Sequence, residues 1–202
     1  MTIVVGITGG IGSGKTTLSK YLKKLKYKIH DSDNEVSLIY KKQTNKLKKA
    51  LIGAGLKKSI KKNYIDKKII ANKIFENEES KTKIEKFIHK EIKKKRSDFI
   101  KINKAKKEKV IFIDIPLLFE NKLDHLFNKI ICIVSTKKNR KKRIRKYKKI
   151  SKKTLDNIIK SQITDKERRL RSDYLITNNE TKKTFIKRTK SVIKDILKWE
   201  RL

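Results

Sequence analysis

A glycine-rich segment near the start of the chain limits the folds that this sequence can adopt. Residues 9–16 read Gly-Gly-Ile-Gly-Ser-Gly-Lys-Thr, which fits the phosphate-loop pattern in full. Glycines permit positive φ angles and let backbone amides approach phosphate oxygens, and the following helix directs its positive N-terminus at the same anion. We therefore predict a nucleoside triphosphate site in which Lys15 reaches the β- and γ-phosphates and the Thr16 hydroxyl binds Mg²⁺.

The loop lies between a predicted strand and a predicted helix. Ile3–Thr8 is a short, β-branched run that is typical of a buried strand. Leu18, Leu22 and Leu25 follow at spacings of four and three, which places them on one face of a helix. The order of strand, glycine loop and helix is the context that a phosphate loop requires.

Strand-like and helix-like segments alternate along the rest of the chain. Further strands are predicted at residues 27–31, 110–114, 129–135 and 174–176. Helices are predicted over residues 34–107 and 137–171 and again near the end of the chain. Their apolar positions are Leu47, Leu51, Ile84, Phe87, Ile88 and Ile92 in the first and Phe185, Val192, Ile193, Ile196 and Leu197 in the last. Strands separated by helices favour an α/β fold with a parallel sheet and helices on both faces, here as a single domain over residues 1–202.

The formal net charge of +37 has two interpretations. A balance this basic is typical of proteins that bind nucleic acid or anionic membranes. The lysines are spread along the whole chain, however, and isoleucine and asparagine are abundant too, as an AT-rich codon usage produces. We favour the second interpretation and expect no specific nucleic-acid partner. The positive field still concentrates anionic substrates.

Nothing in the sequence indicates export or membrane insertion. No signal-like segment precedes the first strand, and no apolar stretch approaches the roughly 18 residues of a membrane span. Cys132 lies in an apolar run, where a small buried hydrophobic residue is a better interpretation than a reactive thiolate. We expect a soluble, cytoplasmic protein without a membrane partner.

A pair of carboxylates follows the second predicted strand. Asp31 and Asp33 alternate in sequence, so on a strand they would face the same side, beside the phosphates. A carboxylate there can accept a hydroxyl proton or hold Mg²⁺. The alternative is that both belong to the cap of the next helix, since Asn34 is itself a good cap residue.

Several segments together resemble the dephospho-CoA kinase family. They are the phosphate loop with its flanks (residues 6–17), the Asp-x-Asp of residues 31–33, Asp-Ile-Pro-Leu-Leu-Phe-Glu (114–120), Gln-Ile-Thr-Asp-Lys-Glu-Arg (162–168) and Ser-Asp-Tyr-Leu-Ile-Thr-Asn-Asn (172–179). They come in the family's order. The resemblance implies a three-layer P-loop NTPase fold with a helical substrate-binding region at about 34–107 and a helical lid at about 137–171. It also implies transfer of phosphate from Mg-ATP to the ribose 3'-hydroxyl of dephospho-CoA.

The resemblance also assigns roles to individual residues. Asp33 is the expected base for the acceptor hydroxyl, while Asp31, His89 and Asp114 are expected on the substrate side. Arg143 and Arg168 are expected in the lid, where a guanidinium can bind the transferring phosphoryl group bidentately. The residues expected to bind ATP are Gly12, Ser13, Gly14, Lys15, Thr16, Thr17 and, near the adenine, Asn178.

Two positions leave alternatives open. The family usually has His-Pro where this chain has His89-Lys90, and the alternative for His89 is a partly buried helix histidine. Three basic side chains, Arg143, Arg145 and Lys146, compete for one lid arginine of the family. Two other functions also remain: a nucleoside or nucleotide monophosphate kinase, and a basic nucleic-acid-binding protein with a nucleotide site.

Overall fold

The computed structural model describes residues 1–147 and 152–198, in two compact units. The sheet unit combines residues 1–31 with the chain from residue 100 onward. The helical unit consists of residues 32–99. The predicted helical region, 34–107, overlaps the helical unit, whereas the single-domain description of the chain stays a prediction.

A five-stranded parallel sheet forms the centre of the sheet unit, as the alternating strands and helices predicted. Its strands are β1 (Ile3–Thr8), β2 (Lys28–Asp31), β3 (Val110–Asp114), β4 (Lys129–Val134) and β5 (Tyr174–Thr177). The spatial order is β2-β3-β1-β4-β5, so β1 is central. β2 and β3 lie on one side of β1 and β4 and β5 on the other, which makes the carboxyl end of β1 the point where the strand order reverses. Ligands of open α/β sheets bind at such a point, beyond the carboxyl ends of the strands. The sheet therefore places the glycine loop where a ligand site is expected.

The strands are buried because both of their faces carry apolar side chains. Every residue of β1 and β3 is buried, which suits the β-branched runs seen in the sequence. One face of the sheet packs on the first and last helices, in a core of Ile3, Val5, Ile7, Leu18, Leu22, Val110, Phe112, Ile131, Ile133, Ile176, Phe185, Ile193 and Ile196. This packing holds the carboxyl ends of the strands in place relative to α1 and α9.

The helices depart from the sequence predictions at four places. They are α1 (Lys15–Lys24), α2 (Ser32–Lys42), α3 (Asn45–Gly53), α4 (Lys67–Glu76), α5 (Glu78–Ala105), α6 (Lys137–Tyr147), α7 (Lys152–Lys160), α8 (Asp165–Leu170) and α9 (Lys182–Lys198). Leu25 was predicted on the buried face of α1, but the helix ends at Lys24 and Leu25 is 43 % exposed. The predicted helix over 137–171 is interrupted before Thr164, whose hydroxyl accepts a bond from the Glu167 amide and so begins α8 anew.

The third departure concerns the Asp-x-Asp segment. The strand β2 ends at Asp31 and α2 begins at Ser32, so Asp33 lies in the first turn of a helix. The prediction that Asp31 and Asp33 share one strand face is therefore wrong, because the alternation of a strand does not continue into a helix. The place of Asp33 in the first turn agrees with the alternative that these residues belong to the start of the next helix, and Asn34 lies inside that helix.

The helical unit has a core of its own. Its buried members are Ile39, Leu47, Leu51, Ala54, Leu56, Ile65, Ile70, Ile84 and Ile88, with Phe87 and Ile92 packed against them. The apolar positions that predicted helices here are thus confirmed as core residues. The helices are not continuous, however, since a short antiparallel bridge between Ile60 and Ile65 separates α3 from α4.

Candidate functional site

The phosphate loop adopts a conformation that only glycine allows at its critical position. Gly14 precedes α1 with a φ of 117°, in the left-handed region. A Cβ atom there would collide with the side-chain amide of Asn178, so the position also lacks space for a side chain. The Thr17 amide donates to the Gly14 carbonyl at 3.0 Å, and the amides at the start of any helix have no acceptor four residues earlier within that helix. The loop is therefore built to bind an anion through backbone amides.

The lysine of the loop folds back over it. The Lys15 ammonium donates to the Gly9 carbonyl at 2.9 Å, which places its charge across the concave side of the loop. Thr16, on the next position of α1, is exposed. The roles of Lys15 as a phosphate ligand and of Thr16 as a hydroxyl for Mg²⁺ stay predictions.

Among the three competing basic residues of α6, Arg143 is the one whose guanidinium contacts the loop. It donates to the carbonyls of Gly12 and Ser13, both at 3.3 Å. It also donates to the carbonyl of Asn178 at 2.7 Å. Burial lowers the pKa of Arg143 from its usual value. Arg145 and Lys146 are exposed on the same helix.

Asn178 ties the end of β5 to the phosphate loop. Its backbone amide donates to the Val134 carbonyl at 2.9 Å, which extends the β4–β5 pairing by one residue. Its side-chain amide donates to the Ser13 carbonyl at 2.7 Å. This residue is 8 % exposed, so the contact is sheltered from water. The sequence placed Asn178 near the nucleotide, and in the structure it contacts the loop itself.

Two carboxylates lie at the carboxyl ends of adjacent strands. Asp31 of β2 and Asp114 of β3 are register partners. Asp114 is 7 % exposed and accepts a hydrogen bond from the Ser19 hydroxyl of α1 at 2.8 Å. A carboxylate is therefore packed against the helix that begins with the phosphate loop.

The remaining predicted residues, Asp33 and His89, belong to the helical unit. Asp33 is exposed in the first turn of α2, where a negative charge stabilises the helix N-terminus. His89 is exposed on α5, so the alternative of a partly buried helix histidine is wrong.

Arg168 is buried and forms ion pairs with two carboxylates. Its side chain is 1 % exposed, and its guanidinium bonds Glu120 at 3.0 Å and Asp165 at 3.1 Å. Asp165 in turn receives two bonds from Arg140, at 3.0 and 3.1 Å. The sequence analysis assigned no role to Arg140, Glu120 or Asp165. Glu120 and Asp165 fell within segments that the family resemblance singled out, whereas Arg140 was one of many basic residues in a lysine-rich helix and carried no signal.

The other features that could indicate a functional site have little structural support. Burial raises the pKa of the Cys132 thiol to about 11, so the prediction of a small buried residue is confirmed and a reactive thiolate is disfavoured. No group of three or more metal-binding side chains occurs within residues 1–147 and 152–198. None of the helices described for this chain is long and apolar enough to cross a membrane.

Comparison with known proteins identifies the same family over nearly the whole chain. The family model for dephospho-CoA kinase matches residues 3–184. A dephospho-CoA kinase from Fusobacterium nucleatum is 36 % identical over 179 residues, which cover 88 % of this chain and 90 % of that protein. Another from Prochlorococcus marinus subsp. pastoris is 30 % identical over 94 % of each chain.

Solved structures agree with the fold. Dephospho-CoA kinase from Campylobacter jejuni is 29 % identical, covers 98 % of each chain and superposes with a TM-score of 0.75. Shikimate kinase from Bacteroides thetaiotaomicron, at 14 % identity and a TM-score of 0.53, shares the fold alone. The predicted three-layer α/β fold of P-loop kinases is thereby confirmed.

Proposed function

The chain belongs to the dephospho-CoA kinase family, and on that premise we propose how its residues share the work of the reaction. The reaction is the ATP-dependent phosphorylation of dephospho-CoA in coenzyme A biosynthesis, and the family relationship disfavours a nucleoside monophosphate kinase or a nucleic-acid-binding protein. The acceptor is the ribose 3'-hydroxyl. Its oxygen attacks the γ-phosphorus of ATP while the bond from that phosphorus to the β–γ bridging oxygen breaks, leaving ADP.

The phosphate loop with Lys15 and Arg143 is the observation that carries the proposal. Lys15 donates to the Gly9 carbonyl of the loop, and Arg143 donates to the carbonyls of Gly12 and Ser13. Two cations thus converge on the backbone that would hold the γ-phosphate, where they neutralise charge that develops during transfer. Gly14, Thr17 and Asn178 complete the ATP site in this proposal, with Asn178 beside the adenine.

Arg143 is better suited than Arg168 to bind the transferring phosphoryl group. The partners of Arg143 are neutral carbonyls and a hydroxyl, and no acidic side chain pairs with it among the described residues. Arg168 is already neutralised by Glu120 and Asp165. Direct contact of Arg168 with phosphate therefore requires those ion pairs to open, and it stays a prediction.

The acceptor side of the reaction is assigned to carboxylates. We assign the hydroxyl proton to Asp33, whose exposed carboxylate is accessible to a substrate. Asp31, Asp114 and His89 are proposed to orient dephospho-CoA.

The residues of the loop fit Mg²⁺. This ion usually keeps several waters and takes only one or two protein ligands beside the phosphates, so a multi-carboxylate cage is not required. The exposed Thr16 hydroxyl at the start of α1 is the proposed ligand. At this position Thr16 would hold the ion, whose charge would offset that of the ATP phosphates. The cytoplasm is the compartment proposed for this biosynthetic step.

A panel of acceptors tests the proposal. Dephospho-CoA should stimulate ADP formation from ATP far above the rates with adenosine, AMP or CMP, measured in one coupled assay. Coenzyme A, whose 3'-hydroxyl is already phosphorylated, is the matched control and should give only the background rate. Equal stimulation by AMP would contradict the assigned acceptor, and stimulation by coenzyme A would contradict the assigned hydroxyl.

A further inference from the structure

Two side chains from the lid segments hold both backbone groups of one phosphate-loop residue. The Arg140 Nε atom donates to the Ile11 carbonyl at 2.9 Å. The Gln162 Oε1 atom accepts from the Ile11 amide at 3.1 Å. Ile11 lies between Gly10 and Gly12, so the peptide groups on either side of it are constrained in a glycine-rich segment that would otherwise be flexible. The direction of amides in this loop determines how well it binds phosphate.

The position of the Arg140 side chain is fixed by an ion pair within a group of four charged side chains. Its Nη1 atom bonds both oxygens of Asp165 at 3.1 and 3.0 Å, and its side chain is 3 % exposed. Asp165 also pairs with Arg168, which pairs with Glu120. Two positive and two negative charges therefore balance in this cluster, which we call the Arg140–Glu120 network. Both arginines are buried, while Asp165 is 35 % exposed, so displacement of either arginine would leave a buried charge without its partner.

The guanidinium of Arg140 also packs directly on the loop. A Cβ atom built at Gly10 would lie 2.7 Å from the Cζ and Nη2 atoms of Arg140. The contact is therefore close enough that a side chain at Gly10 would displace the arginine. Arg140 has both its Nε and its Nη1 donors committed to protein acceptors.

We propose that Arg140 is a positioning residue for ATP binding and that Asp165 acts through it. Arg140 and the Arg140–Glu120 network hold α6 and α8 against the loop. This contact orients the loop amides for phosphate before ATP binds. The inference rests on the proposed ATP site but not on the identity of the acceptor. It predicts that loss of either residue weakens ATP binding while leaving the chemical step nearly intact, because neither side chain is assigned to the reacting atoms.

A double-mutant cycle tests the proposal on the full-length protein. Arg140→Met and Asp165→Asn should each raise the Kd of a non-hydrolysable ATP analogue about 10-fold, the value expected for a hydrogen bond that involves a charged group. In the Arg140→Met background, Asp165→Asn should change that Kd less than about 2-fold, because its effect is transmitted by Arg140. At saturating ATP, kcat should fall less than about 3-fold in each variant. Lys138→Met, which removes one exposed positive charge from the same helix, is the matched control and should leave the Kd unchanged.

Three outcomes would overturn the proposal. An unchanged analogue Kd in Asp165→Asn, with only a lower unfolding temperature, would assign the pair to stability alone. Additive effects in the double variant would show that Asp165 does not act through Arg140. A large loss of kcat at unchanged Kd in Arg140→Met would place Arg140 on the transferring phosphoryl group. Because the analogue Kd needs no acceptor, failure of the dephospho-CoA assay would leave this test intact.

Discussion

Each unit of the molecule buries an arginine, and the two arginines differ in their partners. In the sheet unit, Arg168 is 1 % exposed and bonds Glu120 and Asp165. In the helical unit, Arg96 is 7 % exposed, and within the described residues no hydrogen bond or ion pair is found for it. Burial lowers the pKa of Arg96 from its usual value, with no acidic group opposing the effect.

The difference shows which unit has its polar groups organised before substrate arrives. Around the phosphate loop, Arg140, Arg143, Arg168 and Asn178 all have identified acceptors, so the sheet unit is preorganised for an anion. In the helical unit, Arg96 continues the stripe of Ile88 and Ile92 along α5, and no acidic side chain opposes the desolvation of its charge. Partial desolvation of a charge without an acidic partner costs free energy. The predictions below, from the largest effect to the smallest, test this contrast.

The largest expected effects are on kcat and ATP binding, and they should differ between variants of the two units. Asp33→Asn in the helical unit removes the proposed base, so kcat should fall about 10²–10⁴-fold while ATP affinity changes little. Lys15→Ala in the sheet unit should weaken ATP binding as well as slow turnover, because its charge meets phosphate in both ground and transition states. Steady-state kinetics and direct ATP binding measure both effects.

Asp31→Asn is the control for the choice of carboxylate, and circular dichroism checks that all three variants fold. Its effect on kcat should be smaller than that of Asp33→Asn. A folded Asp33→Asn enzyme with nearly full kcat, together with an inactive Asp31→Asn enzyme, would assign the proton to Asp31 instead.

The next effect concerns stability in the sheet unit. Arg168→Met should lower the free energy of unfolding by about 3–5 kcal/mol, since it leaves Glu120 buried without its cation. Urea titration measures this change, and Arg169→Met, at an exposed neighbouring position, should change it by less than about 0.5 kcal/mol. Unchanged stability combined with a large loss of kcat would favour direct contact of Arg168 with phosphate.

The reactivity of the Cys132 thiol reports whether the core of the sheet unit excludes solvent. Folding raises its pKa by burial to about 11, so at pH 8 its thiolate fraction, and hence its alkylation rate, should be about 100-fold lower than in urea. Because folding raises the pKa, the associated stabilisation is present below the pKa of the unfolded thiol and is lost as pH rises through about 11. Iodoacetamide labelling followed by mass spectrometry measures the rate, and equally rapid labelling of the native protein would contradict a closed core.

The smallest effect belongs to the helical unit. Arg96→Met keeps most of the length of the side chain and removes a partly desolvated charge that has no acidic partner, so the free energy of unfolding should rise by about 1 kcal/mol. Lys94→Met, at an exposed position on the same helix, is the matched control and should be neutral. A stability loss in Arg96→Met comparable to that of Arg168→Met would remove the contrast between the units.

Much of the fold was predictable because its signals are local. The phosphate-loop pattern, the buried β-branched runs and the apolar helix positions each depend on neighbouring residues, and they gave the five strands and the start of α1 after the loop correctly. The family relationship followed from short motifs in a fixed order. Where competing local signals met, at Asp31 and Asp33, the strand pattern was extended too far because α2 begins immediately at Ser32.

The sequence alone predicts an ATP site in the loop between β1 and α1, because glycine, lysine and threonine at these spacings meet the steric and electrostatic demands of phosphate. Only the tertiary structure decided which basic side chains of α6 reach that loop. In a helix as lysine-rich as α6, composition does not distinguish one face from another. Packing on the sheet turns Arg140 and Arg143 inward, and it brings Asp165 and Ile11 to Arg140 from positions 25 and 129 residues away along the chain.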